Sequence, residues 1–198
     1  MQKLFLLDAY ALIYRAYYAL IRSPRMNSKG ENTSAVYGFV NTLEEVLQKQ
    51  APTHIAVAFD PSGPTFRHDA YPEYKAQREE TPEDIRRAVP IIKDIIRAYN
   101  IPILEVPGFE ADDVIGTVAR RAAEAGLEVR MITPDKDYAQ LGRANCRIYK
   151  QRGAEGSIEI VDREAIREKY GIDDPVLVRD ILALWGDASD NIPGVPGI

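Results

Sequence analysis

The sequence predicts an α/β protein built on a mainly parallel sheet, and three observations carry that expectation. Short apolar runs end in aspartate: Leu4-Phe5-Leu6-Leu7 precedes Asp8, and His54-Ile55-Ala56-Val57-Ala58-Phe59 precedes Asp60. Runs this short, with no polar alternation, read as strands buried on both faces. Helix-length amphipathic stretches alternate with them, as in strand-helix-strand units of a parallel sheet. The composition is that of a globular chain, with 45% hydrophobic and 28% charged side chains over 198 residues, enough to bury a core.

Taken in order, Leu4 to Leu7 forms the first strand and delivers Asp8 at its carboxyl end. Ala9 to Leu20 fits a tyrosine-rich helix, Arg22 to Asn32 a polar loop, and Ser34 to Gln50 a second helix with Ser34 as N-cap. His54 to Phe59 is the second strand, stopped by Pro61 after Asp60. Pro61 to Pro82 has early glycine and proline breaks and no apolar periodicity, so it reads as a lid, binding loop or disordered segment. From Thr81, with Pro82 in its first turn, an amphipathic helix runs to about Asn100 through Ile85, Val89, Ile92 and Ile96. Ile101 to Val106 is a third strand, Glu110 to Ala125 a helix closed by Gly126, and Leu127 to Thr133 a fourth strand leading to Asp135 and Asp137. A strand pair around Arg147 to Val161 follows, with helices starting near Asp162 and Pro175.

Several chemistries are excluded by counting. Cys146 is the only cysteine, so there is no intrachain disulfide and no cysteine-based zinc site, and His54 and His68 are too few for a histidine cage. Any metal is held by oxygen. No apolar run has the roughly 18 residues that a membrane span needs, and no cleavable signal opens the chain, which predicts a cytoplasmic protein without a membrane partner. The net charge of −5 argues at face value against a nucleic-acid partner.

Ligands of open parallel sheets sit beyond the carboxyl ends of the strands, and the acids fall there. Asp8 and Asp60 close the first two strands; Glu110, Asp112 and Asp113 open the helix after the third; Asp135 and Asp137 follow the fourth; Asp187 and Asp190 come from the tail. Each group alone has an ordinary reading as a cap, a turn residue or a solvated acid. Converging on one sheet edge, the first seven would repel by several kcal/mol unless they protonate or bind cations. Hard oxygen donors select magnesium, manganese or calcium, and two clusters suggest two ions, an arrangement suited to phosphodiester cleavage. A haloacid-dehalogenase-type phosphatase wants a second aspartate two residues after the first, where Tyr10 stands, and a receiver domain needs fewer acids. Basic residues are segregated into Arg22, Arg25 and Lys29, and into Arg143, Arg147, Lys150 and Arg152; both clusters also fit a solvated surface. In the long loop Arg67, Lys75 and Arg78 alternate with Tyr71 and Tyr74, a mixture that grips phosphates while bases stack on rings.

Leu7-Asp8-Ala9-Tyr10, Ala58-Phe59-Asp60, Phe66-Arg67-His68, Tyr74-Lys75-Ala76-Gln77-Arg78, Glu110-Ala111-Asp112-Asp113-Val114-Ile115-Gly116, Asp135-Lys136-Asp137 and the run Gly186 to Gly197 together carry a resemblance. Over its whole length the chain resembles the N-terminal 5′-nuclease domains of bacterial DNA polymerase I, in the flap-endonuclease superfamily. The resemblance implies a PIN-like, resolvase-like nuclease core over residues 1–174, with a mobile helical arch at about 61–85. A helix-hairpin-helix-type duplex-binding element starts at 175–198 and is cut short at Ile198. It implies Asp8, Asp60, Glu110 and Asp112, with Asp113 beside them, as ligands of one Mg²⁺, and Asp135, Asp137, Asp187 and Asp190 as carboxylates of a second, Mn²⁺ being a plausible substitute. Lys75 and Arg78 then act catalytically on the scissile phosphate, Tyr74 stacks near the displaced strand, Arg67 touches phosphate, and Gly194 and Gly197 present backbone to the duplex. The implied reaction is hydrolysis at 5′ flaps, nicks and gaps in DNA replication and repair, in the bacterial cytoplasm near the nucleoid, with a polymerase portion absent from this stretch. Two alternatives stay open: a PIN-type ribonuclease, and a noncatalytic nucleic-acid-binding fragment. If nine acids form the metal centre, the rest of the chain carries +4, and the objection from net charge falls away.

Overall fold

The strands alternate their side chains between two buried layers, which is why their sequences read as unbroken apolar runs. In the computed structural model, which describes residues 2–143, 145–152 and 157–198, the first strand, β1, spans Lys3–Asp8. Phe5 and Leu7 enter one apolar cluster and Leu4 and Leu6 the other. β2 (His54–Ala58) does the same with Val57 on one side and Ala56 and Ala58 on the other. With β3 (Ile103–Leu104), β4 (Glu128–Ile132), β5 (Cys146–Arg152) and β6 (Ser157–Val161) they form a six-stranded sheet in the order β3-β2-β1-β4-β5-β6. All pairings are parallel except that of β5 with β6. Residues 153–156, in the middle of the expected strand pair, lie outside the described residues.

Helices cover both faces. α1 (Ala9–Ala19), α2 (Ser34–Glu45) and, beyond a short α3 (Phe66–Ala70), α4 (Glu83–Ala98) supply Ile13, Phe39, Leu43, Ile85, Ile92 and Ile96 to the first cluster. α5 (Ala111–Glu124), α6 (Arg163–Tyr170) and α7 (Val178–Trp185) supply Ile115, Ile166 and Val178 to the second. A two-stranded ribbon of β7 (Gly186–Asp187) and β8 (Ile192–Pro193) closes the chain. The chain path steps from β1 outward to β2 and β3, then returns to place β4 on the other side of β1. That reversal is the switch point at which parallel sheets bind ligands.

Several boundaries differ from the sequence reading. Ser34 is the first helical residue and Thr33 holds the cap position; the Ser34 hydroxyl instead accepts from the Arg25 amide at 2.9 Å. The second helix ends in a π-helical turn, Val46–Gln50, released by a left-handed Ala51. The third strand shrinks to two residues because Pro102 and Pro107 flank it and only Ile103 and Leu104 reach β2. Within the segment read as a lid, binding loop or disordered stretch one short helix forms: α3 is held by a reciprocal cap in which Thr65 and His68 satisfy each other's amides, with Thr65 N donating to His68 Nδ1 at 3.1 Å.

Candidate active site

Asp8 ends β1 and is only 7% exposed. It caps α1 by accepting from the Ala11 amide at 3.2 Å, while Thr133, just past β4, donates to its second oxygen at 3.1 Å. Burial, reinforced by the charge of Asp60 and only partly offset by the Ala11 amide, pushes Asp8 up to about 6. Asp60, two residues beyond β2, accepts from the Ala111 amide at 2.7 Å and is likewise raised, chiefly by burial. Glu110 is the N-cap residue of α5, 7% exposed, and Asp112 follows in the first turn. Burial and the neighbouring Asp113 carry Asp112 up to about 7. Asp8, Asp60, Glu110, Asp112 and Asp135 line one cleft of about 380 Å³ together with Lys75 and Arg78. The sheet edge therefore brings five of the nine expected acids to one cleft; Asp113, Asp137, Asp187 and Asp190 lie outside its lining.

Asp135 follows β4, and its carboxylate accepts from the Asp137 amide at 3.0 Å. Burial and Asp135 raise Asp137 to about 6, and its Oδ1 is buried without a hydrogen-bond partner. Asp187, on β7, differs. Burial would raise it, but the Ser189 hydroxyl and amide and the Lys136 ammonium at 3.1 Å outweigh that and hold it below the usual carboxylate range.

The arch lies over this edge and supplies the countercharge. Lys75 Nζ sits 2.9 Å from both Glu110 oxygens, and Arg78 Nη2 2.5 Å from Asp190 Oδ1. Tyr74, expected to stack near a displaced strand, is instead 5% exposed and donates to Glu110 at 2.9 Å and to Asp190 at 3.0 Å. Burial and those two carboxylates raise its phenol far above its ordinary value. Asp190 thus bridges the arch to the acidic edge. Arg67 grips both oxygens of Asp113, at 2.6 and 2.8 Å, and Asp113 also accepts from the Glu110 amide at 3.0 Å. Asp113 orients the start of α5, with both oxygens committed. Gly194 packs against the Trp185 carbonyl, which a Cβ would meet at 2.2 Å; Gly197 has φ +91°, favourable only for glycine.

Sequence reasoning did not single out Thr133, Tyr138, Lys136 or Ser189. Thr133 was visible only as the last residue of an apolar run, and Tyr138, buried in the second cluster near Asp8, carried no polar signal.

The donor set fits hard divalent cations. It is all oxygen, it includes buried acids whose ionised forms are costly without a nearby positive charge, and the orphaned Asp137 oxygen lacks the partner that a buried acceptor needs. Among the described residues no three acids are drawn into a ready-made cage; cationic side chains of the arch stand between them. A parallel sheet with acids at its switch point and lysine and arginine side chains facing them defines a class: an α/β protein with an acidic edge where such sheets bind ligands. The chain belongs to the family of 5′-3′ exonucleases, N-terminal resolvase-like domain, whose pattern matches residues 3–171.

It is 44% identical over 198 residues to DNA polymerase I of Bacillus caldotenax, covering all of this chain and 22% of that protein, and 42% identical to that of Bacillus subtilis with the same coverage. A 5′-3′ exonuclease of Aquifex aeolicus is 37% identical across the whole chain, which covers 66% of it. The chain thus spans about a fifth of the polymerase relatives it matches. Its fold is shared with T5 5′-exonuclease solved with divalent zinc ions, at TM-score 0.76 and 22% identity over 100% of this chain and 71% of that one. It is shared equally with a bacteriophage T5 flap endonuclease solved with DNA and metal ions, at TM-score 0.74 and 21% identity over 100% and 71%. No helix among the described residues is long and apolar enough to cross a membrane.

Proposed function

We propose that this chain is a structure-specific 5′ nuclease that hydrolyses phosphodiesters at 5′ flaps, nicks and gaps in DNA, using two Mg²⁺ ions. The observation that carries the reading is the facing of the acidic edge by arch cations: Lys75 on Glu110 and Arg78 on Asp190. One ion falls to Asp8, Asp60, Glu110 and Asp112, the other to Asp135, Asp137, Asp187 and Asp190. When bound, the ions supply electrophilic stabilisation of the phosphate and make water a stronger nucleophile at neutral pH. Thr133 and the Ala11 and Ala111 amides hold Asp8 and Asp60 in place for them. Lys75 and Arg78, which lie on Glu110 and Asp190 at this edge, would be placed to stabilise charge developing on the scissile phosphate. Residues 61–82 then enclose the single strand leaving the junction.

The test is a labelled 5′-flap duplex incubated with Mg²⁺. Cutting near the junction that stops with EDTA, and falls at least 10²-fold in Asp135→Asn, is the expected result; equal cutting by the variant overturns the metal assignment. Running the same assay on an RNA strand separates this reading from a ribonuclease, which would prefer it.

A further inference from the structure

The acidic edge opens on its α5 side into a line of clefts that the reading above does not use. A cleft of about 360 Å³ beneath the arch is lined by Phe66, Arg67, Tyr71, Tyr74 and the acids Asp112 and Asp137. Arg67, Asp112 and Asp137 also line a second cleft, of about 310 Å³, which continues along α5 to Arg120 and Arg143. Arg143 in turn lines a third, of about 320 Å³, with Arg147, Arg163 and Arg167. Neighbouring clefts share lining residues, the first two Arg67, Asp112 and Asp137 and the last two Arg143, so each has an arginine in its wall.

The countercharge along the path thins with distance from the acids. Arg67 is saturated by Asp113. Arg120 holds Glu124 in an exposed pair one helical turn away, a weak and easily exchanged contact. Arg147 reaches Glu128 only at 3.6 Å, and that acid also serves Arg130 at 2.8 Å. Arg163 donates to the carbonyl of Asp173 at 2.9 and 3.3 Å, which leaves its charge unpaired, and Arg143 has no ion pair among the described residues. Three acids share the third cleft with its four arginines: Asp162 caps α6 through the Ala165 amide at 3.0 Å, Asp173 holds Arg167 at 3.0 Å, and Glu164 is exposed, so the cleft keeps one positive charge in excess. Uncompensated guanidinium groups spaced along a groove match the repeating charge of a phosphodiester strand, and the planar fork of arginine suits phosphate oxygens. At the arch end the Phe66 and Phe109 rings, 5.7 Å apart and partly exposed, offer a surface on which a base stacks.

We infer that these clefts form a track for the single-stranded 5′ tail of the nucleic-acid substrate, running from the arch along α5 to α6, with Arg143 and Arg163 as phosphate ligands far from the reacting bond. This rests on the nuclease reading. Both side chains are exposed, so Arg143→Gln/Arg163→Gln leaves the fold intact, as circular dichroism checks. Binding is measured in EDTA, where nothing is cut, for junctions carrying 5′ tails of two or of fifteen nucleotides. The wild type should gain affinity with the longer tail. The double variant should lose that gain by roughly tenfold, with a salt slope shallower by about 1.4, two contacts at about 0.7 each, while the short-tailed junction binds as before. Equal tail-length dependence in variant and wild type overturns the track and leaves the arginines to a protein partner. Cleavage of the short-tailed junction with Mg²⁺ reports separately on the nuclease reading, because the variant does not touch the metal acids.

Discussion

Lys75 answers two opposed demands. Its backbone has φ +57°, a left-handed conformation that costs a non-glycine residue roughly 1 kcal/mol or more, and its amide donates to the Asp190 carbonyl at 3.0 Å. That conformation directs the ammonium onto Glu110, where it stands in for a cation. The same ammonium is wanted on a phosphate during turnover. Lys75→Ala therefore has two expected outcomes of opposite sign. Turnover of a flap substrate should fall by about 10²-fold, with a smaller loss in binding, because the charge matters most as the phosphate gains negative charge. Divalent-cation affinity, read by calorimetric titration of the free protein, should rise several-fold, because Glu110 loses its competitor. A variant that binds cations no more tightly would show that Lys75 and the metal do not compete for Glu110.

Among the elements, the β7-β8 ribbon is the one on which the arch is fastened. Gln77 donates to the Ala188 carbonyl at 2.7 Å, Arg78 to that of Ser189 at 3.1 Å, and Asn191 returns a bond to the Glu73 carbonyl at 2.8 Å. The ribbon can close against the end of α7 because Gly194 meets the Trp185 carbonyl where no Cβ fits. Gly194→Ala should cost about 1–3 kcal/mol, seen as a lower midpoint in a urea melt, and should misplace Asp187 and Asp190 together. A melt superimposable on the wild type would remove glycine's packing role. Such long-range fastening also explains what the sequence could and could not tell. Strands β1, β2 and β4 were legible because burial on both faces leaves an unbroken apolar run, and their acids followed from position at the carboxyl ends. α3 was hidden because His68 takes the capping-box place usually held by Glu or Gln, and five residues carry no periodicity. The burial of Tyr74 was hidden because its partners, Glu110 and Asp190, lie 36 and 116 residues away. Asp113 read as one more acid of the centre; only its geometry with Arg67 reveals a different employment.

For the whole molecule, the acidic edge couples folding to protons and metal. Asp8, Asp112 and Asp137 have folded-state values of about 6, 7 and 6 against 3.8 for an ordinary aspartate, and Asp60 is displaced in the same direction. Between pH 4 and 7 the folded, metal-free protein thus binds more protons than the unfolded chain, and stability falls as pH rises through that window. The contribution of these groups is full below the unfolded value and lost once each folded carboxyl ionises. Asp187 has the opposite displacement: its contribution is fully present above the ordinary 3.8 and is lost only as pH falls below it, so it stays constant across this window. Lys75, Arg78 and Lys136 neutralise part of the resulting charge and leave the buried acids of β1 and α5 to repel. A divalent cation binds only the ionised acids, so it competes with protons and stabilises the folded state by mass action. In EDTA the thermal midpoint should therefore be higher at pH 5 than at pH 8. With millimolar Mg²⁺ it should rise at pH 8 and change little at pH 5, reducing or reversing the slope. The control is Asp8→Asn, which places a neutral group at a buried acid of the edge: its EDTA melts should depend less on pH and its Mg²⁺ shift at pH 8 should shrink. A midpoint that climbs from pH 5 to pH 8 without metal would mean that the edge carries its ionised acids without strain, and that the protein has no stability to gain there from a cation.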